Sequence, residues 1–170
     1  MAITEQERKI FLTLGKQKEQ EFINMLSNHE FASKEQDIKE HWDLKFSIRI
    51  DVKSLKKDSR NDKTPNEDIH WIELSNVNGG KCTGWLYAEL VDYFAFETID
   101  YWILVSKMKL QDFIEKKCKG KKIEHSKELY TLYSRAGRRD IIVKIKTLDL
   151  CYLSDEIYLK TLPLNSLKNY

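Results

Sequence analysis

Trp42-Asp43-Leu44-Lys45-Phe46-Ser47-Ile48-Arg49-Ile50-Asp51-Val52-Lys53 alternates without a break. Every even-numbered residue is apolar and every odd-numbered one is polar or charged. A period of two belongs to a strand with one buried face. Side chains two apart on a strand project to the same side, so Asp51 and Lys53 stand side by side on the polar face. A carboxylate beside a lysine at the end of an apolar strand, with a second acid upstream, is the residue set a metal-dependent phosphodiesterase needs.

A distance decides what that set requires of the chain. In one straight strand the Cα atoms of Asp43 and Asp51 would lie about 26 Å apart, at ~3.3 Å per residue. No single ion could touch both. The two acids meet only if the chain reverses near Phe46–Ser47, where antiparallel pairing sets Asp43 opposite Asp51 at roughly 5 Å. No Gly, Asn or Pro marks that turn, and a plain amphipathic strand fits the same alternation. Spacing alone leaves both readings open.

The rest of the composition frames this segment. A chain of 170 residues suits one domain with a real core, here expected to span 1–170. Hydrophobic residues make up 41% and charged residues 33%, a balance that excludes a disordered chain. No apolar run approaches the ~20 residues of a membrane span. The opening Met-Ala-Ile-Thr-Glu-Gln-Glu-Arg has no apolar signal region. Cys82, Cys118 and Cys151 form neither a zinc pattern nor a disulfide framework, so reduced thiols in a cytoplasmic setting are expected. Asn78-Gly79-Gly80-Lys81 lacks the Ser/Thr and helix of a phosphate-binding P-loop. The histidines show no metal-ligand spacing.

The net charge of +2 is too small to mark a nucleic-acid binder, so any such affinity must come from local clusters. Lys53, Lys56, Lys57, Arg60 and Lys63 leave directly from the acidic strand. Lys116, Lys117, Lys119, Lys121 and Lys122 surround Gly120, and Arg135, Arg138 and Arg139 surround Gly137. The second cluster reads most simply as a solvated face. The first is placed to neutralise phosphates beside a scissile bond.

Outward from the hairpin, Thr4 and Glu7 have capping-box spacing for a helix that carries Ile10, Phe11, Leu14, Phe22, Met25 and Leu26 on one face. Glu21 sits beside that face, either as a surface glutamate or as a third acid reaching the site. Residues 28–41 read as a polar connection with room for a short helix, and 54–68 as a mobile or disordered loop. His70–Leu74 reads as a central strand, and Gly84–Tyr87 as a turn. Tyr93–Phe96 and Tyr101–Val105 form two strands joined near Thr98–Asp100, whose outer side offers a surface for a homodimer. Leu110, Phe113 and Ile114 mark a helix ending near Gly120, and Ile141–Ile145 a final strand. Trp71, Trp85 and Trp102 are expected in the core. The sum is an α+β domain with a helix ahead of a mixed sheet.

The order helix with Glu21, then Asp43, then Asp51-Val52-Lys53, resembles the PD-(D/E)XK nuclease superfamily. The runs Ile50–Lys57, Trp71–Asn76, Gly84–Tyr87, Asp92–Phe96 and Tyr133–Asp140 are similar to small phage-encoded endonucleases of that superfamily. The likeness covers most of residues 10–150. Trp42 stands where the family has proline. The resemblance implies a restriction-endonuclease-like αβββαβ core with a mixed central sheet and flanking helices. It implies Mg²⁺ or Mn²⁺ as cofactor, DNA as partner and the cytoplasm of a host cell as location. On that likeness Asp43 and Asp51 are the metal-binding acids, Lys53 the lysine assisting the attacking water, and Glu21 the helical acid.

The residue types then set a mechanism. Two carboxylates and a backbone carbonyl, for which Val52 is the natural candidate, suffice for Mg²⁺. Glu73 on a neighbouring strand is either a further acid or a structural acceptor. Lys56, Lys57, Arg60, Arg135, Arg138 and Arg139 are the expected DNA-binding residues. A metal-dependent DNA endonuclease is the reading taken forward. Its alternatives are a branched-DNA resolvase of the same fold, and a catalytically silent nucleic-acid- or protein-binding module.

Overall fold

The computed structural model describes residues 5–23, 30–45, 48–59, 61–78 and 83–160. In chain order the elements are α1 (Glu5–Ile23), β1 (Glu30–Phe31), α2 (Lys34–Glu40), β2 (Leu44–Lys45), β3 (Arg49–Lys53), β4 (Ile69–Ser75) and a 3₁₀ turn (Trp85–Tyr87). There follow β5 (Tyr93–Glu97), β6 (Tyr101–Ser106), α3 (Lys107–Cys118), β7 (Ile123–Glu124), β8 (Leu132–Tyr133), β9 (Ile141–Lys146), α4 (Thr147–Leu153) and β10 (Glu156–Leu159). Thr4, Met25, Leu26, His29, Phe46, Ser47, Arg60, Gly79, Gly80, Lys81 and Cys82 lie outside the described residues.

The strands form two mixed sheets, so the fold is α+β. One sheet has six strands in the order β1-β2-β3-β5-β6-β10, with β3 and β5 parallel and the other pairs antiparallel. The other has four, in the order β4-β9-β8-β7. β2 pairs with β3 as Leu44↔Ile50 and Lys45↔Arg49. The chain therefore reverses between Lys45 and Arg49.

The apolar run of β5 and β6 explains the layering. Tyr93-Phe-Ala-Phe-Glu and Tyr101-Trp-Ile-Leu-Val-Ser are nearly continuous in hydrophobicity, the pattern of strands covered on both faces. Phe94, Phe96, Ile103 and Val105 pack with Ile72 of β4, Val143 and Ile145 of β9, Leu110 and Ile114 of α3, and Leu150 of α4. Ala95, Trp102 and Leu104 take the opposite side with Ile50 and with Phe22 of α1. The Phe22 and Trp102 rings meet edge to face at 5.1 Å, a contact worth ~1 kcal/mol that sets how α1 is rotated. In α3, Leu110, Ile114 and Cys118 recur every fourth residue and form its buried stripe.

Several expectations change here. β4 is an edge strand of the second sheet, not a central one. Both faces of the β5–β6 hairpin are buried, so it offers no dimer surface. Leu14, expected to point inward, is 48% exposed. The segment after Asp155 forms β10, which covers the edge of β6. The polar loop 54–68 is pinned. Leu55 N–H donates to Glu97, Lys144 Nζ to both Asp58 oxygens at 3.1 Å, and Thr147 to the Glu67 carbonyl. No described helix is long and apolar enough to cross a membrane.

Candidate active site

Asp43 enters the hairpin with its backbone fixed on both sides. Its N–H donates to Ile50 O at 3.2 Å and its carbonyl accepts from Ala32 N–H at 3.0 Å. Its side chain then turns across the hairpin, where Oδ2 accepts the Val52 N–H at 3.0 Å. Asp43 lies just ahead of β2, and its bond to the Val52 N–H sets its carboxylate beside the Asp51–Val52 stretch of β3. The two sequence-predicted acids are thus brought together by one local reversal.

β3 lies inside the sheet, between β2 and β5, and Trp85 covers its polar face over Lys53. Asp51 is only 6% exposed. Its Oδ2 forms an ion pair with Lys53 Nζ but receives no well-aligned hydrogen bond. Burial pushes the Asp51 carboxyl above its ordinary range; Lys53 opposes the rise, while Asp37 and Glu19 add to it. Asp43 is pushed up to about 7, first by burial and then by Asp51, against the Val52 N–H and Lys53. Both shifts come first from burial, which disfavours the charged carboxylates.

On helix α1, Glu19 is an acid within electrostatic reach of Asp43 and Asp51. Burial and then Asp43 push Glu19 up to about 7, with Lys53 among the opposing charges. Glu21, the helical acid of the sequence reading, is turned elsewhere. Its carboxylate is held by Lys18 at 2.9 Å and by Gln17 at 3.4 Å. Lys18 also binds buried Glu97 at Oε1, the oxygen that Lys160 holds at 2.8 Å. Burial alone would raise Glu97, but Lys160, Lys18 and the Leu55 N–H hold it below its ordinary value. At ~3.6 residues per turn, Glu19 shares the face of Phe22 three residues on, whereas Glu21 lies about 160° around the helix from Glu19. That i, i+3 relation to Phe22, the buried residue among the described side chains of α1, was the signal for Glu19. Asp37 on α2 also acts on both aspartates, and no sequence pattern announced it.

Lys53 reaches away from the strand to a ring. Its Nζ lies 4.4 Å from the Trp85 ring centroid and 6.0 Å from that of Phe94. Trp85 is therefore half-buried over the site, while Trp102 is fully buried. Trp71 is also half-buried, with Lys144 over its ring at 5.4 Å and Tyr133 beside it at 6.1 Å. Glu73 stands within electrostatic reach of Lys53; burial raises its carboxyl and Lys53 opposes the rise.

The basic residues separate into two kinds. Lys56 and Lys57 are exposed just past the end of β3. Arg135 is committed to Asp140, its Nε donating to Oδ2 at 2.6 Å, and Asp140 is completely buried. That pair braces the turn that presents Arg138 and Arg139. With Val77, Asn78 and Gly137 these two arginines line a cleft of about 600 Å³.

Hard oxygen donors suit Mg²⁺ or Mn²⁺. Among the described residues no three His, Cys, Asp or Glu side chains form a ready metal-binding group. An ion at this place would take Asp43, Asp51 and the Val52 carbonyl, with waters completing its shell. Two neighbouring acids raised by burial, with Asp51 Oδ2 held only by the Lys53 ammonium, fit such a cation. Comparison with protein-family models, with curated proteins and with solved structures found no match for this chain.

Proposed function

We propose that this protein is a metal-dependent DNA endonuclease of the PD-(D/E)XK type, hydrolysing phosphodiester bonds with a metal-activated water. The observation that carries the reading is the Asp43 carboxylate held on the Val52 N–H across one hairpin, next to Asp51 and its ion pair with Lys53. A divalent ion supplies Lewis acidity toward a phosphoryl oxygen and a more acidic bound water. The chain's own part is to hold that ion with Asp43, Asp51 and the Val52 carbonyl. Lys53 sits where it would offset charge on the phosphorane or position the attacking water. Lys56 and Lys57 at the strand end, and Arg138 and Arg139 at their cleft, supply the phosphate contacts, which carry most nucleic-acid affinity. Arg135 serves as a brace and makes no such contact.

The test is cleavage of supercoiled plasmid and of a four-way junction with Mg²⁺, Mn²⁺ or EDTA, alongside Lys53→Ala. Metal-dependent cutting that is lost in the variant, with DNA binding kept, supports the reading. A marked preference for the junction would favour a resolvase. Binding without cutting of either substrate would move the assignment to a silent nucleic-acid-binding module.

A further inference from the structure

The ammonium of Lys53 has two holds at once. One is Asp51 Oδ2, on a carboxylate that the functional reading assigns to the divalent ion. The other is the face of Trp85, with Nζ 4.4 Å from the ring centroid. Ion pair and ring compete for one cation, and only the first can be taken over by a metal.

The second hold is built rigidly. Gly84 N–H donates to Leu74 O at 3.0 Å, and Tyr87 N–H closes the 3₁₀ turn onto Gly84 O at 3.0 Å. Gly84 passes so close to β4 that a Cβ there would fall 2.6 Å from the Leu74 carbonyl carbon, and closer still to the Glu73 carbonyl oxygen. From α3, Gln111 Nε2 donates to Leu86 O at 2.9 Å. The Trp85 ring itself meets Phe94 edge-on at 4.9 Å and Phe96 at 6.3 Å. A ring placed this firmly keeps its place whether or not Asp51 is engaged.

We propose that Lys53 is the resident counter-cation of the Asp43–Asp51 pair, displaced from Asp51 when a divalent ion binds, and that Trp85 is the positioning residue that keeps the displaced ammonium in the site. The inference rests on the metal-binding part of the functional reading and not on cleavage. In the metal-free protein Lys53 neutralises one of two crowded acids. When metal takes Asp51, the ammonium would swing to solvent but for the ring, which attracts a cation through its quadrupole. Trp85 thereby delivers Lys53 to the reacting phosphate in place.

Lysine ε-methylene protons over an indole face are shifted upfield by its ring current, so NMR of Lys53 reads its seat on the ring directly. The expected result is an upfield Lys53 ε signal both without and with Mg²⁺, reduced in Trp85→Phe and abolished in Trp85→Leu. Lys53→Met, which removes the competing cation, should tighten Mg²⁺ binding by calorimetry roughly tenfold or more, as removal of a unit charge beside the carboxylate implies. Trp85→Leu should lower kcat for cleavage severalfold with KM for DNA unchanged, and Trp85→Phe should restore most of it. Disappearance of the Lys53 upfield shift on adding Mg²⁺ overturns the proposal, as does Lys53→Met binding no tighter than wild type. Should Trp85→Leu fail to fold, the wild-type NMR titration and Lys53→Met decide the matter alone. Mg²⁺ binding with the predicted Lys53 behaviour but no DNA cleavage would refute the nuclease reading and leave this inference standing. Absence of Mg²⁺ binding would refute both.

Discussion

Asp43→Asn should stabilise the metal-free protein at alkaline pH and abolish its stabilisation by Mg²⁺. In the fold the Asp43 carboxyl is pushed from its ordinary 3.8 up to about 7. A folded value above the unfolded one means that the unfolded chain releases its proton first. Stability from this group is therefore full below pH 4, falls as pH rises from about 4 to 7, and stays low above. At 1.36 kcal/mol per pH unit the ceiling is about 4 kcal/mol. Asp43 and Asp51 titrate as a pair and part of Asp43 remains solvated, so a realistic figure is about 2 kcal/mol. Asparagine keeps an oxygen for the Val52 N–H, so the hairpin hydrogen bond survives. Urea unfolding of wild type and variant at pH 4, 6 and 8 in EDTA should show the variant's advantage growing across that range. With Mg²⁺ at a hundred times its Kd, wild type should gain about 2.7 kcal/mol and the variant little. An Asp43→Asn protein less stable than wild type at pH 8 without metal, or gaining as much from Mg²⁺, refutes the reasoning.

Gly84→Ala should cost about 3 kcal/mol in urea unfolding, because its Cβ meets the rigid Glu73–Leu74 backbone and not a yielding side chain. The same variant should disturb the Trp85 ring and reduce cleavage beyond what stability explains. Replacing Arg138 and Arg139 together by alanine should weaken DNA binding and lower the salt dependence of log K by ~0.9 for each phosphate no longer neutralised, read from fluorescence anisotropy between about 50 and 200 mM salt. Asp140→Ala should destabilise the fold by about 2 kcal/mol, since a completely buried carboxylate is taken from its partly exposed Arg135 partner; thermal unfolding of this variant and of Arg135→Ala reads it.

The hairpin was legible because its information is local. Strict alternation from Trp42 to Lys53 specifies which side each residue takes, and a shift of one residue would expose Ile50 and Val52 together. With the side fixed, only a chain reversal lets Asp43 meet Asp51, and β2 and β3 pair across one between Lys45 and Arg49. The β5–β6 hairpin and the α3 stripe were legible for the same reason, their periods being written in adjacent residues. Tertiary packing decided the rest. Glu19 and Glu21 are equally plausible on a helix until Phe22 seats against Trp102 and sets its rotation. His70–Leu74 reads as a good strand, but which sheet it joins depends on β9, some seventy residues on. Arg135 looks as available as Arg138 and Arg139 until Asp140 is buried beneath the turn. Trp85 comes over Lys53 only because Gly84 lets the chain press against β4. Side-chain parity travels with the backbone and can be counted along the chain. Helix rotation, strand partners and cation–ring pairs arise only when distant surfaces are buried together, and no local pattern encodes them.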